Sequence, residues 1–285
     1  MNTLALLLVL ASSLLHATWN LLAKRTKGGA SLVWLYDILS ILFYAPLVIV
    51  LIIVQHIHLN LIFLGLMFVS GLIHLAYFLT LQRGYRVGDL SLVYPLARGT
   101  GPLLATIAAI VLLGERPTLF AIAGMLLVVS GVFLIAGGLR LFAKTHNRQG
   151  ILYALLVGVF IAIYTIWDKR SVSIYLVPPI IYFYGAIIVD AVLLTPYAVR
   201  HWMDVRTEWQ THRLEVSGIA LMSPASYFLV LTALVFTGVS YVAPFRESSV
   251  LLGTLMGTHL LSEESGRARI IGACVLLAGI IALAI

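Results

Sequence analysis

Apolar residues along this chain fall into ten long runs separated by short polar connectors, at approximately 3–22, 31–54, 61–82, 90–113, 118–137, 150–167, 178–199, 217–236, 240–262 and 270–285. Most runs hold close to the ~20 apolar residues that one helix needs to cross a bilayer. None shows the strict polar and apolar alternation over about ten residues that marks a strand of a membrane barrel. The pattern therefore predicts an all-α polytopic membrane protein with ten transmembrane helices. The first run lacks a preceding positive charge and is followed by Lys24, Arg25 and Lys27, so it reads as a retained span and not a cleaved leader.

The two halves repeat. At an offset of 148 residues, Trp19 falls on Trp167, Arg98 on Arg246, Glu115 on Glu263, Gly124 on Gly272 and Gly131 on Gly279. Two five-span units, 1–140 and 148–285, follow from this register. Because five is odd, the second unit enters the membrane from the opposite side, which makes an inverted repeat of the kind that transporters build around a midplane site. Proline and glycine interrupt the fourth run, at Tyr94-Pro95 and Gly99-Thr100-Gly101-Pro102, and the ninth, at Ala243-Pro244-Phe245-Arg246. Broken helix in lipid is tolerated where neighbours or a cavity satisfy the freed backbone groups.

These segments resemble a known family. Tyr241-Val242-Ala243-Pro244-Phe245-Arg246-Glu247-Ser248-Ser249-Val250, with Glu263 and Gly272 after it, is similar to the hallmark of EamA-like members of the drug/metabolite transporter superfamily. Pro95, Gly114-Glu115-Arg116 and Gly124 form a similar set in the first half, as does His16-Ala17-Thr18-Trp19-Asn20 with Lys24-Arg25. The resemblance implies ten helices in two inverted five-helix repeats and transport of a small organic solute. It also implies both termini inside the cell, and Arg98 stands where many relatives carry a neutral residue.

Composition agrees with the membrane reading. Hydrophobic residues make up 61% of the 285 and charged residues 10%, against about 25% charged in soluble domains. The net charge of +7 is spread over connectors and not gathered into a nucleic-acid patch. Counted by side, the odd-numbered connectors carry thirteen Lys and Arg and the even-numbered ones only Arg116, Lys169 and Arg170. The positive-inside rule then puts the odd connectors in the cytoplasm and both termini outside, against the family habit. The connector 200–215, with Trp202 and Trp209 among basic residues, reads as an amphipathic segment at the headgroups. The expected location is the inner (plasma) membrane.

Charge at membrane depth costs roughly 2.5 to 3.5 kcal/mol on insertion scales and marks candidate sites. Arg98 and Arg246 are the leading pair, as planar donors suited to a carboxylate, phosphonate or phosphate; neutralisation by a carboxylate or snorkelling to an interface is the structural alternative. His16, Trp19, Tyr36, His74, Tyr94 and Tyr164 complete the expected substrate site, while Trp19 and Trp167, near run ends beside basic residues, also fit interface anchors. Asp37, Asp190 and Glu247 are candidate charge or coupling groups, and His259 lies in the ninth run. A cation held by Tyr and Trp rings is the competing substrate class.

Other features carry less. Glu115 and Glu263, at run ends, read as bonds to loop backbone, and the paired glycines spaced by seven read as close helix packing within the chain, with a dimer surface as alternative. Cys274 reads as a buried small residue. His56 and His58 lack partners for a zinc site. No Walker A, HExxH, dinucleotide fingerprint or Ser-His-Asp order occurs, so neither an ATP-driven pump nor an enzyme is expected, with no metal and no cofactor. A membrane-embedded enzyme using His16, Asp37 or His74 remains the alternative of another class. The expected partners are a small-molecule substrate and the lipid bilayer, with no nucleic acid, in a monomer or homodimer.

Overall fold

The computed structural model describes residues 1–26, 29–88, 90–136, 148–260 and 267–285, with the side chains of 90, 91, 255, 257–260 and 267–269 left aside. Within these residues the chain forms helices only: α1 (Thr3–Ala23), α2 (Ala30–Val54), α3 (Leu61–Val87), α4 (Leu90–Leu113), α5 (Leu119–Ile135), α6 (Arg148–Ser173), α7 (Pro179–Arg200), α8 (Trp202–Phe236), α9 (Val239–Arg246), α10 (Ser248–Leu260) and α11 (Arg267–Ala284). Polar residues start several of them. The side chains of Asn2, Asn60 and Thr118 accept from the amides of Leu4, Phe63 and Ala121, at the N-termini of α1, α3 and α5, satisfying donors that the helix itself leaves free.

Among the described residues seven helices are long and apolar enough to cross a membrane, and the apolar stretches Leu119–Ile135 and Ile270–Ala284 are shorter. Leu42, Ile49, Val50, Ile53 and Val54 on α2, and Leu61, Val111, Leu112 and Leu119 elsewhere, stand exposed. In water such a surface would be an aggregation hazard; in a bilayer it is the lipid face.

The packing is symmetric in sequence order. α1 packs on α8 as α6 packs on α3, and α3 on α7 as α8 packs on α2. α4 packs on α6 as the α9/α10 pair packs on α1, while α2 meets α7 and α5 meets α11. Exchanging the halves maps these contacts onto one another or onto themselves, as two copies of one five-helix unit do. The α5/α11 seam depends on glycine. A Cβ on Gly131 would lie 2.6 Å from Leu276, on Gly124 2.9 Å from the Gly279 carbonyl, on Gly279 2.7 Å from the Gly124 carbonyl, and on Gly272 2.5 Å from the Ile135 nitrogen. The seven-residue spacing thus brings two backbones into contact inside one chain.

Several expectations change in detail. α3 and α6 extend past their apolar runs, to Val87 and Ser173. α4 continues through both Pro95 and Pro102 without a break; the helix that breaks is the ninth run, at Glu247, whose amide bonds back to the Pro244 carbonyl at 3.0 Å. The connector 200–215 is helical as far as His212, whose φ of −128° and ψ of 32° mark the turn into the rest of α8. Its Val205 packs with Leu32, Leu35, Ala198 and Val216, and its Glu208 is buried. Cys274 is exposed, contrary to its reading as a core residue, because the opposite face of α11, with Gly272, Leu276 and Gly279, takes the α5 contact.

Candidate functional site

Arg98 is carried by α4, whose neighbouring residues Leu92, Val93, Leu96 and Ala97 are buried. Close approach of α4 to α6 passes through glycine. A Cβ on Gly101 would sit 2.8 Å from Ile161, and one on Gly158 would strike the Thr100 hydroxyl. This contact sets the wall of a cavity lined by Arg98, Tyr164, Tyr227, Arg246 and Glu247 with the apolar side chains of Pro102, Ile161, Val230 and Val242. Its room for water-sized occupants is about 20 Å³, little more than one water.

The two arginines meet in this cavity with different partners. Arg98 Nη1 donates to Glu247 Oε1 at 3.3 Å, with side chains 12% and 4% exposed. Its Nη2 donates to His16 Nε2, and its Cζ lies 5.7 Å from the Tyr94 ring centre. A desolvated arginine so held is neutralised and oriented. Arg246 ends α9 with its Cζ 5.1 Å above the Tyr227 ring. Its Nε is buried without a hydrogen-bond partner, as is Glu247 Oε2. Among the described residues Arg98 pairs with Glu247 and His74 contacts Asp168, while Arg246 lines the cavity with no carboxylate within ion-pair distance. The Arg246 backbone is tied down: its carbonyl accepts from the Ser13 hydroxyl at 3.3 Å, and Ser248 donates to Ser13 at 2.8 Å.

A second polar cluster adjoins the cavity, centred on a residue the sequence reading passed over. Asp168 is fully buried. It accepts from Ser70 at 2.8 Å and Tyr182 at 2.6 Å on Oδ1, and from Tyr227 at 2.6 Å on Oδ2, with His74 Nε2 at 3.0 Å from that same oxygen. His74 stacks on Tyr164, ring centres 4.4 Å apart. Tyr227 therefore joins the clusters: its hydroxyl is fixed by Asp168 and its ring face receives Arg246. The signal for Asp168 was present, since at the 148-residue offset it falls on Asn20. Its position between Trp167 and Lys169-Arg170 made it look like the start of a connector. Tyr227 stood in the middle of an apolar run, a position its hydroxyl could not occupy without a partner.

The remaining candidates divide. His16, Tyr94 and Tyr164 join the arginines and Glu247, and His74 reaches the cavity through Tyr164. Trp19 meets His16 edge-on at 5.0 Å with its indole nitrogen buried and unpartnered, so it backs the site and is not an interface anchor. Trp167 likewise turns inward and donates to the Leu66 carbonyl at 3.1 Å. Tyr241, from the family-like motif, lies outside the cavity lining and accepts from the Thr118 amide. Tyr36, Asp37 and Asp190 lie apart on the α2/α7 contact. Glu115 accepts from the Val239 and Ser240 amides at 2.7 and 2.9 Å and from the Ser240 hydroxyl at 2.6 Å, capping the start of α9. Glu263 and the His259 side chain lie outside the described residues.

Comparison with known proteins agrees with this architecture. The sequence pattern of the EamA-like transporter family matches residues 3–137 and again 148–285. No curated protein matches the chain. A solved structure described as "Crystal structure of protein" superposes with a TM-score of 0.74 at 18% identity, covering 99% of this chain and 98% of the other. At that identity the likeness concerns the fold.

Proposed function

Since the chain belongs to the EamA-like transporter family and is a multi-pass membrane protein, we propose that it is a secondary transporter of a small amino-acid-like metabolite bearing an anionic group. The cargo crosses the inner (plasma) membrane by alternating access. In this reading α9 and α10 together form one broken span, giving ten spans in two inverted fives, with the basic connectors in the cytoplasm and both termini outside. Reporter fusions at the C-terminus test that orientation. Because the glycine seam is used within the chain, it is not a free dimer surface.

The observation that carries the proposal is Arg246, half-buried at a cavity wall, whose Nε has no hydrogen-bond partner and which forms no ion pair with a carboxylate among the described residues. An unpaired buried charge is costly, and a substrate carboxylate or phosphonate removes the deficit with a bidentate, charge-assisted contact. The vacant Glu247 Oε2 is an acceptor for an ammonium on the same molecule. An amino carboxylate or amino phosphonate satisfies both. The cavity must widen to admit it, which is the opening half of an alternating cycle. Arg98 keeps Glu247 in place and contributes to binding through it. The competing cation-cage reading is weakened because the Tyr94 and Tyr227 rings already carry the protein's own guanidinium groups.

A thermal-shift series on the purified full chain tests this. Short amino acids and aminoalkylphosphonates should raise the unfolding midpoint, their carboxylate esters should not, and Arg246→Gln should abolish the shift. Stabilisation by quaternary ammonium compounds with none by amino acids or aminoalkylphosphonates would transfer the assignment to the cationic class.

A further inference from the structure

Asp37 and Asp190 stand outside the cavity, on the contact between α2 of the first repeat and α7 of the second. Two hydrogen bonds fix how these helices align. Trp34 donates to the Thr195 hydroxyl at 3.0 Å, and Tyr184 donates to the Ile41 carbonyl at 3.2 Å. The helices are therefore antiparallel, and Asp37, between Trp34 and Ile41, is brought level with Asp190, between Tyr184 and Thr195. Asp190 is the twelfth of the 22 residues of α7, roughly 15 Å from either end at about 1.5 Å per residue.

Neither carboxylate receives a hydrogen bond from any described residue, and Asp37 Oδ2 and Asp190 Oδ1 are both buried without a partner. Asp37 is 6% exposed. Asp37 and Asp190 lie within electrostatic reach of each other, and both lie within reach of the Tyr36 phenol on α2. α8, which also packs on α2, presents the Ala220 carbonyl to Ser40 there. No described Lys, Arg or His forms an ion pair with either acid. Two facing carboxylates in apolar surroundings cannot both stay ionised; sharing a proton resolves the conflict. A metal cation asks for several oxygen ligands, and the nearby Ser40 hydroxyl is already engaged with the Tyr36 and Ala220 carbonyls.

We propose that Asp37 and Asp190 share one proton and form a coupling-proton site on the seam between the repeats, separate from the Arg246 cavity. The coupling role rests on the transporter reading; the proton site does not. One proton from water binds across the two facing oxygens and closes the seam. Its release leaves two negative charges that drive α2 and α7 apart, so proton occupancy biases the repeats toward one arrangement.

Infrared spectroscopy of the full chain in lipid vesicles tests the site without any substrate. At neutral pH the wild type should show the carbonyl stretch of a protonated carboxylic acid, and Asp37→Asn and Asp190→Asn should each remove it. Should an Asn variant not fold, Asp37→Glu replaces it and should shift the band. A band unchanged in all variants that fold, or none in the wild type, overturns the proposal. Removal of the wild-type band by sodium chloride but not by choline chloride overturns it in favour of sodium. Loss of the amino-acid shift in the thermal series, with this band intact, would defeat the substrate reading alone.

Discussion

Arg98 and Arg246 occupy the same position in two copies of one five-helix unit, yet their surroundings differ. On α4 the arginine is held by Glu247 and His16. At the end of α9 it lies over Tyr227, with its Nε unpaired. Backbone symmetry puts both guanidinium groups at the cavity; the side chains around them decide which is spent on structure and which is left for a ligand. The asymmetry begins in unmatched pairs at the 148-residue offset. Glu247 falls on Gly99 and Tyr227 on Leu79, so the first repeat has no equivalent of either.

The sharpest way to break this contrast is to remove the Arg98 partner. Glu247→Gln should destabilise by about 3 to 5 kcal/mol, the usual effect of leaving a buried charge uncompensated, read as a lower unfolding midpoint in detergent; adding Arg98→Gln should restore most of it. If Glu247→Gln is silent, the pairing is not what separates the arginines. Next comes the uncharged frame. Gly131→Ala forces a Cβ to 2.6 Å from Leu276 and should cost about 1 to 3 kcal/mol by overpacking, with ligand preference unchanged in the same assay. A change in preference would show that the α5/α11 seam shapes the cavity.

Glu115→Gln should cost about 1 to 2 kcal/mol, because a charged acceptor serving three donors becomes a neutral one. Faster hydrogen exchange at the Val239 and Ser240 amides would locate the loss at the start of the helix that carries Arg246. The smallest effect on stability belongs to Arg246→Gln. It should change the ligand-free midpoint by less than about 1 kcal/mol or raise it, since it removes a cation that has no carboxylate to strand. A large drop would reveal a structural role and erase the distinction.

Much of the fold was legible because apolar run length, helix length and repeat register are properties of order along the chain. The glycine pairs announced a close helix contact, and Glu115 announced a bond to backbone. The cavity was legible in half. His16, Tyr94, Arg98, Tyr164, Arg246 and Glu247 each carried the mark of a polar or aromatic group in an apolar run. Asp168 did not, because it stood beside two basic residues at the end of a run, and only the continuation of α6 to Ser173 draws it inside. Trp19 and Trp167 had the position of interface anchors and turned inward, Trp19 against the His16 ring and Trp167 to the Leu66 carbonyl.

Sequence alone determined that this chain lives in a membrane, that it is one helical unit used twice in opposite senses, and that two arginines hold matching positions in the two copies. Those conclusions follow from hydrophobicity and periodicity, which each residue states for itself. Which arginine is neutralised, which phenol joins Asp168 to the cavity, and that Asp37 comes level with Asp190 were decided by tertiary structure. Each is a pairing across helices far apart in the chain, and charge compensation depends on distances of a few ångströms that only packing sets.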